Sequence, residues 1–438
     1  MTAHRHLRSG VISLIFAMAA IGLVALGAPG VVGAAQHSTK FKAPVLNEAI
    51  VIAYTGPVSF EGAAADGGVY PAVDQINADG GILGHKVNIV PVDTKGDPAD
   101  AVPLVDKLIA TTSHIIGVAG VGTASGPTEV PIFNSQHLPM FAFAGEAAFD
   151  RSHYKYFWRL LPPDDAVGKA MDLYAKEEGF KRVALVFGTT TGAQSNVPGV
   201  DSGIKPTHLD AVVKITVTPE QASYRAEVEK VIAAHPQVIL TEMDTATSVT
   251  FFSELKQLLG HMLPIIGTNT LVTSTWENAV RKAIGASTFN KDIRVMDTVA
   301  AYKSPAIRAY TDALKLAKSK VAAPWTQWVG NSHSQAAYDA VIMQALAMTA
   351  SHSITPKVYN NHIMTVTAPG PGKKKVYTYA KGVKLLKQGK KIQYIGAAGP
   401  ILFDKWHNAF GNMEAVKINP KDNTVPVKTI FEKQIENL

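Results

Sequence analysis

Cysteine is absent from the 438-residue chain. Its absence excludes disulfides, thiolate metal sites and thiol nucleophiles, and with no cysteine at the leader's cleavage point a lipid-anchored lipoprotein is excluded. Charge is sparse: 18% of residues are charged and 47% are apolar, a balance that excludes a disordered chain. Lysine and arginine number 42 against 35 acids, a formal net charge of +7. The basic residues are dispersed, and the small clusters at Lys373–Lys375 and Lys387–Lys391 have no aromatic residues interleaved. That pattern argues against a nucleic-acid partner. Long apolar runs are missing everywhere except Val11 to Leu26. That run follows the basic Arg5 and Arg8, is interrupted by Gly22 and Gly27, and precedes Val32-Gly-Ala-Ala35, with cleavage expected after Ala34 or Ala35. It reads as a cleaved export signal over residues 1–35 rather than a permanent span, so the mature protein is expected outside the cytoplasm and soluble.

Signatures of catalysis are also missing. There is no Gly-x-Ser-x-Gly elbow, no phosphate loop ending in Gly-Lys-Ser/Thr, and no His-x3-His pair with an acid. Gly120-x-Gly122 lacks a third glycine at dinucleotide spacing. No cofactor, no metal and no enzymatic activity are expected. His114 and His137 flank apolar segments and read as structural.

What is present is a strand-loop-helix at residues 114–129. Ile115 to Ala119 is apolar enough for a buried parallel strand. Gly120, Gly122, Thr123, Ala124, Ser125 and Gly126 follow, then Pro127 at a first helical position. Such a loop aims backbone N–H groups at one spot and lets a small ligand approach. The chain alternates strands and helices on both sides of it, which predicts parallel sheets with right-handed crossovers. Strands are expected near 48–54, 86–93, 115–119, 139–143, 182–187, 211–217, 237–241 and 263–266. The helix after the first strand carries Pro71, which should kink it. Asp164-Asp165 reads as a helix cap after Pro162-Pro163, where the chain is expected to cross between two α/β units. Between 187 and 211 this reading passes from strand to strand without a helix. Ile293 to Tyr302 carries the chain back, Ser334 to Ala350 is a helix with Ala337, Val341, Ala345 and Met348 in register, and short strands near 413–418 and 425–430 end it.

Ligands bind beyond the carboxyl ends of parallel strands. Four such loops, Thr55–Ser59, Gly120–Gly126, Ala142–Glu146 and Gly188–Gly192, are rich in Gly, Ala, Ser and Thr. They offer hydrogen bonds with few titrating groups, which suits holding a polar molecule better than transforming it. Ser59 belongs to the first of these loops.

The sequence resembles the type I periplasmic solute-binding proteins of ABC transporters, in the leucine/isoleucine/valine-binding branch. The resemblance rests on Ala72-Val-Asp-Gln-Ile-Asn-Ala-Asp-Gly-Gly-Ile-Leu-Gly84, Asp93 with Asp97-Pro98-x-x-Ala101-Val102, the 114–129 stretch, Phe157-x-Arg159 with Asp164 and Gly168, Ala337-Tyr-Asp-Ala-Val341, and Tyr394-x-Gly396-Ala-x-Gly399-Pro-Ile-x-Phe403-Asp404. It implies two Rossmann-like α/β lobes joined by a three-strand hinge, a Venus-flytrap clamp: 36–161 with 300–412 as lobe 1, 162–299 with 413–438 as lobe 2. It implies a monomer that delivers an amino acid or related small molecule to permease subunits. Carried over by position, it nominates Thr123, Ala124 and Ser125 for a ligand carboxylate, and Ala144, Gly145 and Glu146 for an ammonium. Two departures stand out. Thr191 lies where an aromatic ring is common, and Glu146 lies where a small hydroxyl residue is common. A carboxylate at 146 suits a cationic or amide-bearing ligand, or caps a helix; Asp244 pairs with an ammonium or caps the helix before Thr247. A ligand-sensing receptor on the same clamp, or a secreted α/β enzyme, are the rival readings.

Overall fold

The computed structural model describes residues 41–56, 58–298, 304–409, 411–418 and 424–438. The expected export signal lies outside the described residues. Strands and helices alternate from the start: β1 (Lys42–Ile52), α1 (Phe60–Ala78), β2 (His85–Asp93), α2 (Pro98–Thr111), β3 (Ile115–Val121), α3 (Gly126–Ser135), β4 (Met140–Ala142) and β5 (Phe157–Arg159). They form a five-stranded parallel sheet in the order β2-β1-β3-β4-β5. The buried runs Ala49–Ile52 and Ile116–Val121 place β1 and β3 at its centre, covered on both faces.

The alternation restarts with α4 (Asp164–Glu177), β6 (Arg182–Gly188), α5 (Thr191–Thr207), β7 (Asp210–Val217), α6 (Arg225–Ala233), β8 (Val238–Glu242), α7 (Thr245–Leu259), β9 (Ile265–Gly267), α8 (Ser274–Ile284), α9 (Ala286–Asp292) and β10 (Ile293–Thr298). The order β7-β6-β8-β9-β10 repeats the first sheet's pattern, again parallel. The chain then returns through α10 (Pro305–Leu316) and α11 (Ser332–Ser351) to α12 (Pro356–Tyr359), α13 (Ile363–Thr367), β11 (Lys374–Val376), α14 (Tyr379–Lys387), β12 (Ile392–Gly396) and β13 (Gly399–Pro400), packed on the first lobe. Last, β14 (Met413–Ile418) and β15 (Thr424–Ile430) add antiparallel strands beside β10. The chain therefore passes between the lobes after β5, after β10 and before β14. The first and third passages are tied at Arg159, whose buried guanidinium donates to Asn408 Oδ1 at 2.9 Å and pairs with Asp150 at 2.5 Å.

Helix crossings explain the glycines. Pro71 lies within α1, which continues through it as one helix rather than breaking. Pro71 lacks an N–H, so the Gly67 carbonyl loses its intrahelical donor. The Tyr310 hydroxyl sits 3.0 Å from that carbonyl and 2.9 Å from the Trp328 carbonyl, and its one hydrogen is shared between them. At Gly68, any Cβ would run into the α11 backbone at Ser334 and Tyr338. Helix α11 is buried on every side from Ser332 to Thr349, because α1 covers one face and the returning segment the other. The single apolar face expected from its sequence is thus half of what packing uses.

Helices α5 and α8 are absent from the sequence-based reading. Gly192, Gly199, Gly203, Pro198 and Pro206 make α5 look like a loop. The structure shows why they are there. A Cβ at Gly168 of α4 would sit 2.5 Å from the Asn196 carbonyl and 2.6 Å from the Val200 amide of α5, and Gly199 packs against the Asp165 backbone. Helix propensity is given up for close approach. Several helices end on histidine rather than glycine: His208 and His352 are left-handed C-caps, at φ 60° and 53°. His114 and His137 adopt the same conformation, at φ 52° and 57°.

Gly168→Ala is therefore expected to destabilise the protein by about 1–3 kcal/mol through overpacking, although alanine is intrinsically the better helix former by roughly 1 kcal/mol. Denaturant unfolding of the two proteins checks this. An unchanged or raised midpoint would refute the tight α4–α5 crossing.

Candidate functional site

Both sheets reverse their winding direction between two central strands, β1 and β3 in the first and β6 and β8 in the second. Crevices form at such switch points, beyond the carboxyl ends of the strands. Here the loops from all four strand ends line one inter-lobe cleft. Its outer part has a volume of about 310 Å³ and is walled by Ser59, Phe60, Thr190, Met243, Asp244, Trp276 and Trp328. Its inner part is about 30 Å³, room for little more than a water-sized group. Glu61, Thr123, Ala124, Asp164, Gly192, Asn196, Asn269 and His333 line that inner part. Val58, Phe60, Glu242 and Thr270 line both.

The inner cleft is acidic. Glu61 lies in the first turn of α1, and Gly122 leaves the space its carboxylate fills. Asp164 opens α4; its backbone N–H donates to the Gly145 carbonyl at 2.8 Å and its carboxylate accepts from the Ser195 hydroxyl. A side chain at Gly145 would collide with that carboxylate. Glu242 ends β8 and accepts from Thr268 Oγ1 at 2.6 Å and Asn196 Nδ2 at 3.2 Å. Glu146 lies behind, buried, with no hydrogen-bond partner for either carboxylate oxygen. Burial, reinforced by the neighbouring carboxylates, pushes Glu61 up to about 8. Burial also pushes Glu146 up to about 8, against the pull of Arg159, and Asp164 up to about 7. Glu242 is raised for the same reason. His333, in the first turn of α11, is held edge-on between the rings of Phe60 and Phe143, with centroids 5.7 and 5.2 Å away. Burial lowers its pKa to about 4, so the imidazole is neutral near pH 7. The described residues lining the two parts of the cleft include no lysine or arginine.

Residues 49–423 match the family model described as periplasmic binding protein. The chain belongs to that family. Its members bind substrates for ABC transporters and are not enzymes. The leucine-specific-binding protein of Salmonella typhimurium is 23% identical over 317 residues, covering 70% of this chain and 80% of that one. The structure of LivJ from Streptococcus pneumoniae in complex with isoleucine aligns at a TM-score of 0.70 and 17% identity, covering 89% of this chain and 100% of that one. A solute-binding protein from R. palustris in complex with benzoate aligns at a TM-score of 0.70 and 16% identity, covering 88% and 96%. At these identities the likeness is one of fold: two α/β lobes with parallel sheets.

This periplasmic binding protein places the nominated residues unevenly. Thr123 and Ala124 line the inner cleft, and Thr123 Oγ1 accepts from the Gly145 N–H at 3.4 Å, joining two loops. Ser125 turns away: it is buried, and its hydroxyl donates to Thr94 Oγ1 at 3.4 Å. Among the loop's amides, that of Gly126 donates to the Gly122 carbonyl at 2.9 Å. Ala144 packs in the core beneath the sheet. Glu146 precedes a one-turn helix without capping it. Thr191 begins α5 but its neighbours meet the cleft: Thr190 in the outer part and Gly192 in the inner. Asp244 lines the outer part and is an N-cap, accepting from the Thr247 N–H at 3.0 Å and from its hydroxyl. Asp164, expected to be a cap, makes no capping bond; its helix is entered from Pro163. Ser59 borders the outer part.

Glu61, Glu242, Asn196 and His333 escaped the sequence-based reading. An acid in a helix's first turn looks the same whether it faces solvent or a cleft. Glu242 could have been found, as it stands at the carboxyl end of the strand beside the switch point.

The raised carboxyls give a pH signature. Glu61 and Glu146 hold protons in the folded protein up to about pH 8 but lose them near 4.5 when unfolded. The native state binds more protons across that window, so stability falls as pH rises through it. His333 works the other way, but only between about 4 and 6.5. The ligand-free melting temperature is expected to drop from pH 6 to pH 8.5, and Glu61→Gln should reduce the drop. A melting temperature that climbs across this range would contradict the burial of these acids.

Proposed function

We propose that this chain is the exported binding component of an ABC importer. It holds an amino acid, or an amino-acid-like or amide-bearing molecule, in the inter-lobe cleft and presents it to permease subunits. The observation that carries this reading is the convergence of four switch-point loops, two from each lobe, on one cleft. Thr123 and Ala124 from the first lobe and Asn196 and Glu242 from the second are the proposed ligand contacts. The proposed division is 36–161 with 300–412 against 162–299 with 413–438, the lobes closing as a hinge. The basic-apolar leader in the sequence supports export, and the isoleucine bound by LivJ supports an amino-acid-sized ligand. A monomer suffices, because both walls of the cleft come from one chain.

A thermal-shift screen of amino acids, amides and amines tests the reading. A true ligand stabilises by RT ln(1 + [L]/Kd), about 2.7 kcal/mol at a hundredfold excess over Kd. Ala124→Trp fills the inner cleft and is expected to abolish the shift while leaving the fold intact. A ligand that still binds the variant with unchanged affinity would move the site elsewhere.

A further inference from the structure

We infer that the cleft selects a primary ammonium group on an apolar stem, the ligand as a whole carrying net positive charge. This rests on the cleft being the binding site and narrows what it takes. The inner part, at about 30 Å³, is narrow and suits a small head such as –NH₃⁺. Two acceptors beside that space lack donors. Glu61 Oε2 and Asn196 Oδ1 are buried without partners, on residues only 6% and 3% exposed that line this space. Asn196 is oriented by its own amide, whose Nδ2 donates to the Gly192 carbonyl at 2.9 Å as well as to Glu242, leaving its carbonyl oxygen for a donor. A buried acceptor without a donor costs stability, and an ammonium carries three donors on one charge. Asp164 and Glu242 add negative potential from the second lobe. Nothing cationic lines the cleft among the described residues, although the whole chain is basic, at 42 Lys and Arg against 35 acids. A ligand carboxylate placed here would find no basic side chain to pair with and would make the surrounding acids still harder to ionise.

The outer part suits the remainder of such a molecule. Phe60, Trp276 and Trp328 wall a space of about 310 Å³, enough for an aliphatic or aromatic stem. Entry of an ammonium favours the ionised carboxylates, so binding displaces protons. The titratable groups lining the site are Glu61 of the first lobe, Asp164, Glu242 and Asp244 of the second, and the neutral His333, with Glu146, Glu129 and Arg159 behind them.

Isothermal titration with 1,4-diaminobutane, n-butylamine and phenethylamine, against leucine and benzoate, tests the inference. The amines should bind at least tenfold more tightly than leucine, and benzoate should not bind. Amine affinity should rise between pH 6 and pH 8, by up to about tenfold per pH unit for each proton displaced. Glu61→Gln and Glu242→Gln should each weaken the amines tenfold or more, with melting temperature confirming that both variants fold. If leucine or benzoate binds better than the amines and Ala124→Trp blocks it, the cleft is the site and the cationic selectivity is wrong. Amine binding unaffected by Ala124→Trp and Glu61→Gln would overturn both readings. No binding of any amine overturns the selectivity alone.

Discussion

Like charges are held together in a place from which water has been largely removed. Glu61 and Glu146 come from one lobe, Asp164 and Glu242 from the other; Glu61, Glu146 and Glu242 are buried and Asp164 is half-buried. Each carboxylate costs free energy to bury, and each raises the cost for the next. The folded chain meets this in two ways. Some oxygens take hydrogen bonds, as Glu242 does from Thr268 and Asp164 from Ser195. The remainder hold protons at a pH where an exposed acid would not.

The scaffold that sustains it is built from close contacts. Two sheets with the same strand order set their switch points against each other, which brings four loops to one place without any loop being long. Helix crossings at Gly68 and at Gly168 with Gly199 let α1 meet α11 and α4 meet α5 at backbone distance. Those crossings fix the first turns that carry Glu61, His333 and Asp164, and the second turn of α5 that carries Asn196. Asn331 then links the lobes: its side chain caps α11 through the Ser334 N–H at 2.9 Å and donates to the Val272 carbonyl at 3.1 Å. The elements that position the cleft are closely packed, while the passages between lobes are few.

Much of this was legible in the residues. The apolar run at Ile115–Val121 and the glycines after it announce a buried strand and its loop, and the alternation around them gives two α/β units. The resemblance to solute-binding proteins led to the right fold. What the sequence concealed has a common cause. Gly199 and Pro198 lower helix propensity, so α5 read as a loop; only the partner helix reveals why they are there. Ser125 and Thr123 have similar chemistry and adjoin the same loop, yet Ser125 turns its hydroxyl to Thr94 while Thr123 lines the cleft with its hydroxyl on the Gly145 amide, a difference set by backbone direction. Glu61 and Asp164 resemble ordinary first-turn acids. Their significance depends on Gly122 and Gly145, which lie far away in sequence and provide the room beside them.

If the crowded carboxyl groups govern closure, ionising them should open the ligand-free clamp. Small-angle X-ray scattering of the same sample at pH 5.5 and pH 8.5 reads this directly. The account predicts a larger radius of gyration at the higher pH, with the protein still folded by circular dichroism, and a return to the compact form when the pH is lowered. Superimposable scattering curves, or a more compact particle at the higher pH, would contradict it.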